Sequence, residues 1–165
     1  MSKTLILSHN EISLKLDRIA WQILEEHYNE TNIVLIGLLD RGANVAEKIK
    51  LRMQKHTRIN LISTTINVDK SNPLSSKAVI GNSSIIKNNP IILVDDVLNS
   101  GITMAGALKE VLAFNPKSVQ TAVLANRDHH KFPIQANFVG ISIATTLKEH
   151  ITYSELEGEM EVTLN

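Results

Sequence analysis

The sequence predicts a single α/β domain over residues 1–165, built on a mainly parallel, twisted sheet that is flanked by helices. Two continuous apolar runs of strand length, 32–37 and 90–94, indicate strands that are covered on both faces. Segments with helical periodicity alternate with the strands, which favours right-handed crossovers and a parallel sheet. A length of 165 residues is typical of one domain.

The elements are predicted in order along the chain. Ser8 precedes Glu11 by three residues, as in a capping box, and an apolar stripe continues as a helix over about 10–28. After strand 32–37, a second helix has apolar residues at 45, 46, 49 and 53, and a strand follows over about 58–66. We expect strand 90–94 to end at the Asp95-Asp96 pair. The remaining predictions are a helix over about 103–114, a strand over 118–125 and shorter strands near 137–143, 150–153 and 160–164.

Composition excludes several classes of function. There is no cysteine, which rules out disulfide scaffolds, thiol catalysis and cysteine-ligated zinc or iron–sulfur sites. The 17 basic residues balance the 17 acidic ones, so no net charge draws the whole molecule to nucleic acid or membranes. No apolar run approaches the ~20 residues of a membrane span, and the N-terminus lacks a signal-peptide core. We expect a cytoplasmic protein.

A polar segment over 67–89 is interrupted by one apolar stretch at 78–80. Long loops in compact domains are often lids or binding loops. We therefore expect a flexible loop over about 67–80.

Three polar segments leave the ends of predicted strands: 40–42, 95–103 and 126–128. Ligands in parallel sheets lie beyond the carboxyl ends of the strands, so we expect these segments to converge on one site.

The segment 95–103 combines an acidic pair with a loop of small residues at a helix start. Adjacent carboxylates after a strand are often a solvated turn with an ordinary helix cap. Here, however, Ser100, Gly101 and Thr103 would expose backbone N–H groups and hydroxyls at the positive end of a helix, which suits a phosphate. The two carboxylates could then bind vicinal hydroxyls, so the pattern favours a sugar phosphate.

The segment 91–103 (IILVDDVLNSGIT) resembles the thirteen-residue phosphoribosyl diphosphate (PRPP) motif of type I phosphoribosyltransferases. Segments 122–129 (AVLANRDH) and 132–140 (FPIQANFVG) resemble the PyrR branch, whose members are bifunctional pyrimidine-operon attenuators and uracil phosphoribosyltransferases. Segments 36–42 (IGLLDRG) and 17–20 (DRIA) are also in register with that branch. The resemblance covers nearly the whole chain and is weakest over 60–89.

The resemblance implies a role for each polar segment in transfer of ribose 5-phosphate from PRPP to uracil. Asp95 and Asp96 would bind the ribose hydroxyls, directly or through metal-bound water, and support the developing cation. Mg²⁺ would arrive with PRPP, without direct side-chain ligation. Arg41 and the backbone of Asp40 and Gly42 would hold pyrophosphate. The 5-phosphate loop comprises Asn99, Ser100, Gly101, Ile102 and Thr103, and the base side comprises Asn126, Arg127, Asp128 and the backbone of Ile151.

The chain departs from the family pattern at several positions. It has Ile102 where Arg is usual, Asn99 where Tyr is usual and Asp40 where Thr is usual. The polar loop is shorter, and Lys70 and Lys77 are the candidates for its basic residue.

Two other functions remain open. A regulator that binds RNA and senses pyrimidine nucleotides would use a basic face, for which Arg18, Arg127 and Lys131 are retained, although Gln135 replaces an Arg and the net charge is zero. A weakened PRPP- or nucleotide-binding protein would explain Ile102 and the short loop. His129-His130 is interpreted as a solvated pair rather than a metal site. The family also implies a homodimer.

Overall fold

The computed structural model describes residues 3–146 and 148–165. Within them the chain forms nine strands, three α-helices and a short 3-10 turn at Ser83–Ile85. The first half comprises β1 (Thr4–Leu7), α1 (His9–Glu26), β2 (Asn32–Leu38), α2 (Arg41–Gln54), β3 (Asn60–Asn67) and β4 (Val79–Ile80). The second half comprises β5 (Pro90–Leu98), α3 (Ile102–Leu112), β6 (Ser118–Arg127), β7 (Phe138–Ile143), β8 (Ile151–Leu156) and β9 (Glu159–Leu164).

The main sheet has the strand order β4-β3-β2-β5-β6-β7 and is parallel except for the short edge strand β4. Its central strands are buried on both faces. Along β5, Ile92 and Val94 belong to the core beneath α1 and α2, whereas Ile91 and Leu93 belong to the core beneath α3. Double coverage explains why the strand sequence is apolar without alternation, and the predicted fold class is confirmed.

Helix α1 begins at the predicted capping box. The Ser8 backbone N–H donates to Glu11 Oε2 at 2.8 Å, and Ile12 N–H donates to the Ser8 carbonyl at 2.9 Å. Because this pairing satisfies N–H groups at the first turn, it defines where the helix starts. The helix ends at Glu26, two residues before the predicted boundary.

Strand β5 does not end at the acidic pair, and this prediction was wrong. It continues through Asp95 and Asp96 to Leu98, because β6 is long enough to keep pairing with it. Asp95 is opposite Val123, and Leu98 is opposite Asn126. The desolvation cost that we expected to stop the strand applies to the carboxyl groups, whereas the backbone remains hydrogen-bonded in the ladder.

A second, antiparallel sheet has the order β1-β9-β8. The sequence predicts strands near 150–153 and 160–164 but does not show that they leave the main sheet. It also does not predict β1, which pairs with β9 at the far end of the chain. This small sheet contributes Leu7, Tyr153 and Val162 to the core beneath α1. None of the helices in the described part of the chain has the length and apolarity needed to cross a membrane.

Candidate functional site

A cleft of about 490 Å³ lies beyond the carboxyl ends of β2 and β5. The predicted site residues that line it are Asp40, Arg41, Asp95, Asp96, Asn99, Thr103 and Ile151. Two of the three segments predicted to converge, 40–42 and 95–103, therefore contribute residues to one cleft, whereas no residue of segment 126–128 lines it. The cleft also includes Leu39, Val97 and Lys70.

The acidic pair lines this cleft. Asp95 Oδ1 accepts the backbone N–H of Asp96 at 2.9 Å. Burial raises the pKa of Asp95 well above its ordinary value, and the neighbouring charge of Asp96 raises it further, while the charge of Lys70 opposes the change. Ionisation of both carboxyl groups at once is therefore unfavourable. A carboxyl group of this kind can donate or accept hydrogen bonds, which suits contact with the hydroxyl groups of a ligand.

Gly42 brings the first turn of α2 against the acidic pair. A Cβ at this position would lie 2.7 Å from the Val94 carbonyl oxygen and 2.8 Å from Asp95 Oδ1. Only a residue without a side chain allows that approach. Gly42 is buried behind the cleft, whereas Asp40 and Arg41 are exposed at its edge and follow a cis Leu39–Asp40 peptide bond.

The loop from Asn99 to Thr103 leads directly into α3. Gly101 has φ +87°, a left-handed conformation that favours glycine. The Ser100 carbonyl accepts the N–H groups of Lys131 and Phe132 at 3.1 and 3.0 Å. These two hydrogen bonds attach the loop to the 131–132 segment. The two ends of the loop, Asn99 and Thr103, line the cleft at the N-terminus of the helix.

Of the four residues predicted to contact the base, only Ile151 lines the cleft, whereas Asn126, Arg127 and Asp128 do not. The Arg127 guanidinium donates from Nε to Thr145 Oγ1 at 2.6 Å and from Nη2 to the Thr146 carbonyl at 2.7 Å. It therefore braces the segment after β7. That Arg127 reaches substrate stays a prediction.

Asn126 lies on β6, opposite Leu98 on β5. Its amide nitrogen donates to Ser142 Oγ at 3.1 Å, whereas its Oδ1 is buried without a partner among the described residues. The neighbouring Asp128 is exposed, and its N–H donates to the Ile143 carbonyl at 3.2 Å.

Sequence reasoning missed a polar network behind the cleft. Tyr153 Oη donates to Asn44 Oδ1 at 2.9 Å and lies 3.3 Å from Glu155 Oε2. Glu155 in turn accepts from Lys48 Nζ at 3.0 Å. These residues connect α2 to β8, and the alternation of Ile151, Tyr153 and Glu155 along one strand is the only sequence signal for them.

Within the described residues, no group of three or more His, Asp or Glu side chains is placed to hold a metal ion. His130 Nδ1 is 2.7 Å from the Asn99 carbonyl oxygen, so this histidine contacts the loop from Asn99 to Thr103.

Comparisons with known proteins all identify the same family. The family model named phosphoribosyl transferase domain matches residues 2–156 of this chain. The bifunctional protein PyrR of Caldicellulosiruptor bescii is 32% identical, with 96% of this chain and 93% of that protein covered. The bifunctional protein PyrR of Elusimicrobium minutum is 34% identical, with 97% of this chain and 95% of that protein covered.

Two solved structures share the fold. A hypoxanthine phosphoribosyltransferase from Staphylococcus aureus has a TM-score of 0.73 at 18% identity, over 87% of this chain and 80% of that one. The hypoxanthine phosphoribosyl transferase of Trypanosoma cruzi has a TM-score of 0.78 at 16% identity, over 96% of this chain and 90% of that one.

Proposed function

This chain is a phosphoribosyltransferase that belongs to the type I family and to its PyrR branch, and from that premise we propose that it transfers ribose 5-phosphate from PRPP to uracil, releasing pyrophosphate. The observation that carries the proposal is the meeting of three chemistries in one cleft. An acidic pair, a phosphate loop at a helix N-terminus and two cations, Arg41 and Lys70, surround the same space. The pyrimidine preference rests on the similarity to PyrR proteins.

Each part of the cleft matches one part of PRPP. Asp95 and Asp96 bind the ribose hydroxyls and stabilise positive charge as the anomeric bond breaks. The loop from Asn99 to Thr103 binds the 5-phosphate, and Arg41 with the backbone of Asp40 and Gly42 binds pyrophosphate. The base lies between the 126–128 segment and the backbone of Ile151.

The residues present suit Mg²⁺ that is bound mainly by the substrate. Mg²⁺ prefers oxygen ligands and is commonly held by one or two carboxylates together with substrate phosphates. Asp95 or Asp96 would contact the ion through water, without direct side-chain ligation, and the ion would neutralise the charge that develops on pyrophosphate.

The direct test is pyrophosphate release by the purified protein with PRPP and Mg²⁺. We expect release that depends on uracil, with hypoxanthine and a no-base reaction as comparisons. Release with hypoxanthine alone would show that the proposed base is wrong. Absence of release with every base would contradict transferase activity toward these substrates.

The role of the acidic pair is tested by Asp96→Asn. We expect turnover to fall about a hundredfold, because a charge that stabilises the transition state is lost, while the unfolding midpoint changes little. Asp17→Asn is the matched control, since Asp17 pairs with Arg52 on the surface, outside the cleft. Equal turnover in Asp96→Asn and the unmodified enzyme would contradict the assigned role.

Regulation through RNA is a second proposal, favoured by the similarity to bifunctional relatives. Two of its three basic candidates already have structural partners. Arg18 donates to the carbonyls of Val139 and Gly140 at 3.1 and 2.7 Å, and Arg127 braces the segment after β7. Salt-dependent RNA binding would support this role.

We also propose that the protein is a cytoplasmic homodimer. Light scattering of the purified protein tests the dimer.

A further inference from the structure

The chain just after β6 holds two consecutive carbonyl groups of the loop that leads into α3. His130 Nδ1 is within hydrogen-bond distance of the Asn99 carbonyl oxygen, at 2.7 Å. The next two residues, Lys131 and Phe132, donate their backbone N–H groups to the Ser100 carbonyl at 3.1 and 3.0 Å. One short segment of chain therefore fixes two successive peptide units of the loop.

The fixed carbonyl groups also set the direction of two N–H groups. In a trans peptide unit the C=O and the N–H that follows it point to opposite sides of the chain. Because the Asn99 carbonyl faces His130, the Ser100 N–H points away from that histidine. Because the Ser100 carbonyl faces residues 131–132, the Gly101 N–H points away from them as well.

These two N–H groups have no acceptor in the part of the chain that the structure describes. The hydrogen bonds within the loop use other donors: the Ile102 N–H donates to Ser100 Oγ at 3.3 Å, and the Ala105 N–H donates to the Gly101 carbonyl at 2.9 Å. A backbone N–H group in a folded protein ordinarily has a partner. The N–H groups of Ser100 and Gly101 are therefore available to an anionic oxygen of a ligand.

The contact of His130 with the loop requires one particular state of its ring. A carbonyl oxygen only accepts hydrogen bonds, so the proton must be on His130 Nδ1. A neutral ring with its proton on Nε2 would turn a lone pair toward the Asn99 carbonyl instead. What the loop needs from this position is therefore an N–H donor attached to Cγ.

We propose that His130 is a positioning residue for phosphate binding: its Nδ1–H holds the Asn99 carbonyl, so that the Ser100 N–H is presented to the 5-phosphate of PRPP. This inference rests on the proposed function and adds a residue to it. The sequence suggests a solvated histidine pair, but only His129 is exposed, whereas His130 is partly buried beside the loop. His130 acts through the loop and does not itself contact the ligand.

The first experiment measures calorimetric affinities for ribose 5-phosphate and, separately, for inorganic pyrophosphate with Mg²⁺. Ribose 5-phosphate would use the loop, whereas pyrophosphate would bind beside Arg41. We expect His130→Phe, which retains a ring but has no N–H, to weaken ribose 5-phosphate binding about tenfold and to leave pyrophosphate binding unchanged. His130→Asn should recover most of this loss, because its amide nitrogen is attached to Cγ in the same way as Nδ1.

The matched control is His129→Phe, because His129 is the exposed neighbour in the same segment. We expect this variant to bind both ligands as the unmodified protein does. A purely structural role for His130 would lower both affinities together. Unchanged affinity for ribose 5-phosphate in His130→Phe, an equal loss for pyrophosphate, or no recovery in His130→Asn would overturn the proposal.

The second experiment follows the backbone amide protons of Ser100 and Gly101 by NMR during titration with ribose 5-phosphate. A hydrogen bond to phosphate moves an amide proton resonance downfield, so we expect both resonances to move in the unmodified protein. The Ser100 resonance should move less in His130→Phe and fully in His130→Asn. If neither resonance moved in the unmodified protein at saturation, the assigned direction of the N–H groups would be wrong.

The two proposals fail differently. Pyrophosphate release by the unmodified protein decides the proposed function, whereas the binding measurements at position 130 need no turnover. If the unmodified protein binds neither ribose 5-phosphate nor PRPP, the proposed function and this inference both fall. If it binds ribose 5-phosphate and His130→Phe binds it equally well, only the role of His130 is wrong.

Discussion

Asp95 is the residue at which the stability of the fold and the proposed function have opposite requirements. Its carboxyl group lies against the first turn of α2, next to a second carboxylate. Burial and the charge of Asp96 raise its pKa, so the folded state binds a proton there more tightly than the unfolded state does. Above the ordinary pKa of 3.8 the folded protein therefore loses stability as the pH rises toward the folded value.

Asp95→Asn should stabilise the fold, by an amount that grows as the pH rises above 3.8. Asparagine retains the shape and can still accept the Asp96 N–H, but it has no charge to desolvate. Chemical denaturation of both proteins at several pH values from about 4 to about 8 measures the difference in free energy of unfolding. Transfer activity should fall in the same variant.

Asp69→Asn provides a control of opposite sign. Backbone and side-chain hydrogen bonds from Ser71 and Ser76 lower the pKa of Asp69, so its contribution is present above the unfolded pKa and is lost as the pH falls through the folded value. This variant should lose stability near neutral pH. A pH-independent difference for Asp95→Asn would show that desolvation of Asp95 is not the cause.

Ile102 is a second residue at which we predict that a change of one side chain alters ligand binding. It is the first residue of α3, directly after Gly101, in the loop that we propose binds the 5-phosphate. Ile102→Arg should strengthen PRPP binding about tenfold, because it adds a cation beside the proposed 5-phosphate position. Leu112→Arg adds the same charge at the other end of the helix and should have little effect. Calorimetry would contradict the assignment if Ile102→Arg bound PRPP no more tightly.

At the scale of elements, the contact between β8 and α2 determines how the small sheet closes the cleft. Tyr153 is buried on β8, two residues after Ile151, and its hydroxyl bonds to Asn44 on α2. Burial, with the charge of Glu155, raises the pKa of Tyr153, so the hydroxyl remains a donor at neutral pH. Loss of this bond would remove one of the contacts that hold the strand carrying Ile151 against α2.

Tyr153→Phe should therefore raise the KM for uracil several-fold while kcat changes less. It should also cost about 1 kcal/mol in free energy of unfolding, as for one buried hydrogen bond. Steady-state kinetics and denaturation provide the two measurements. Tyr28→Phe is the control, because Tyr28 is 72% exposed. Equal effects of the two substitutions on KM would contradict a positioning role for Tyr153.

The sequence predicted the boundaries of helices and strands where residues close together in the chain mark them. The Ser8–Glu11 pair marks the start of α1, and the apolar run over 32–37 marks β2. The ends of β5 and β6 did not follow, because each strand is prolonged by the other. An acidic pair is a reasonable stop signal in isolation, but a paired neighbour can carry the backbone past it.

At the scale of the whole molecule, two sheets of different construction meet around the cleft. The parallel sheet contributes the acidic pair and the loop from Asn99 to Thr103, and the antiparallel sheet contributes Ile151. The antiparallel sheet joins the first strand of the chain to the last, as Thr4 pairs with Leu164. Both ends of the chain therefore help to position one wall of the site.

The sequence by itself determined the fold class and the chemical character of the site. Apolar strands, amphipathic helices and the 95–103 segment are local patterns, and each reflects the burial and hydrogen bonding of neighbouring residues. Only the tertiary structure decided which distant groups meet: Gly106 with Pro73, Tyr153 with Asn44 and Lys70 with the acidic pair. Such contacts depend on how elements pack in three dimensions, and no periodicity along the chain encodes that packing.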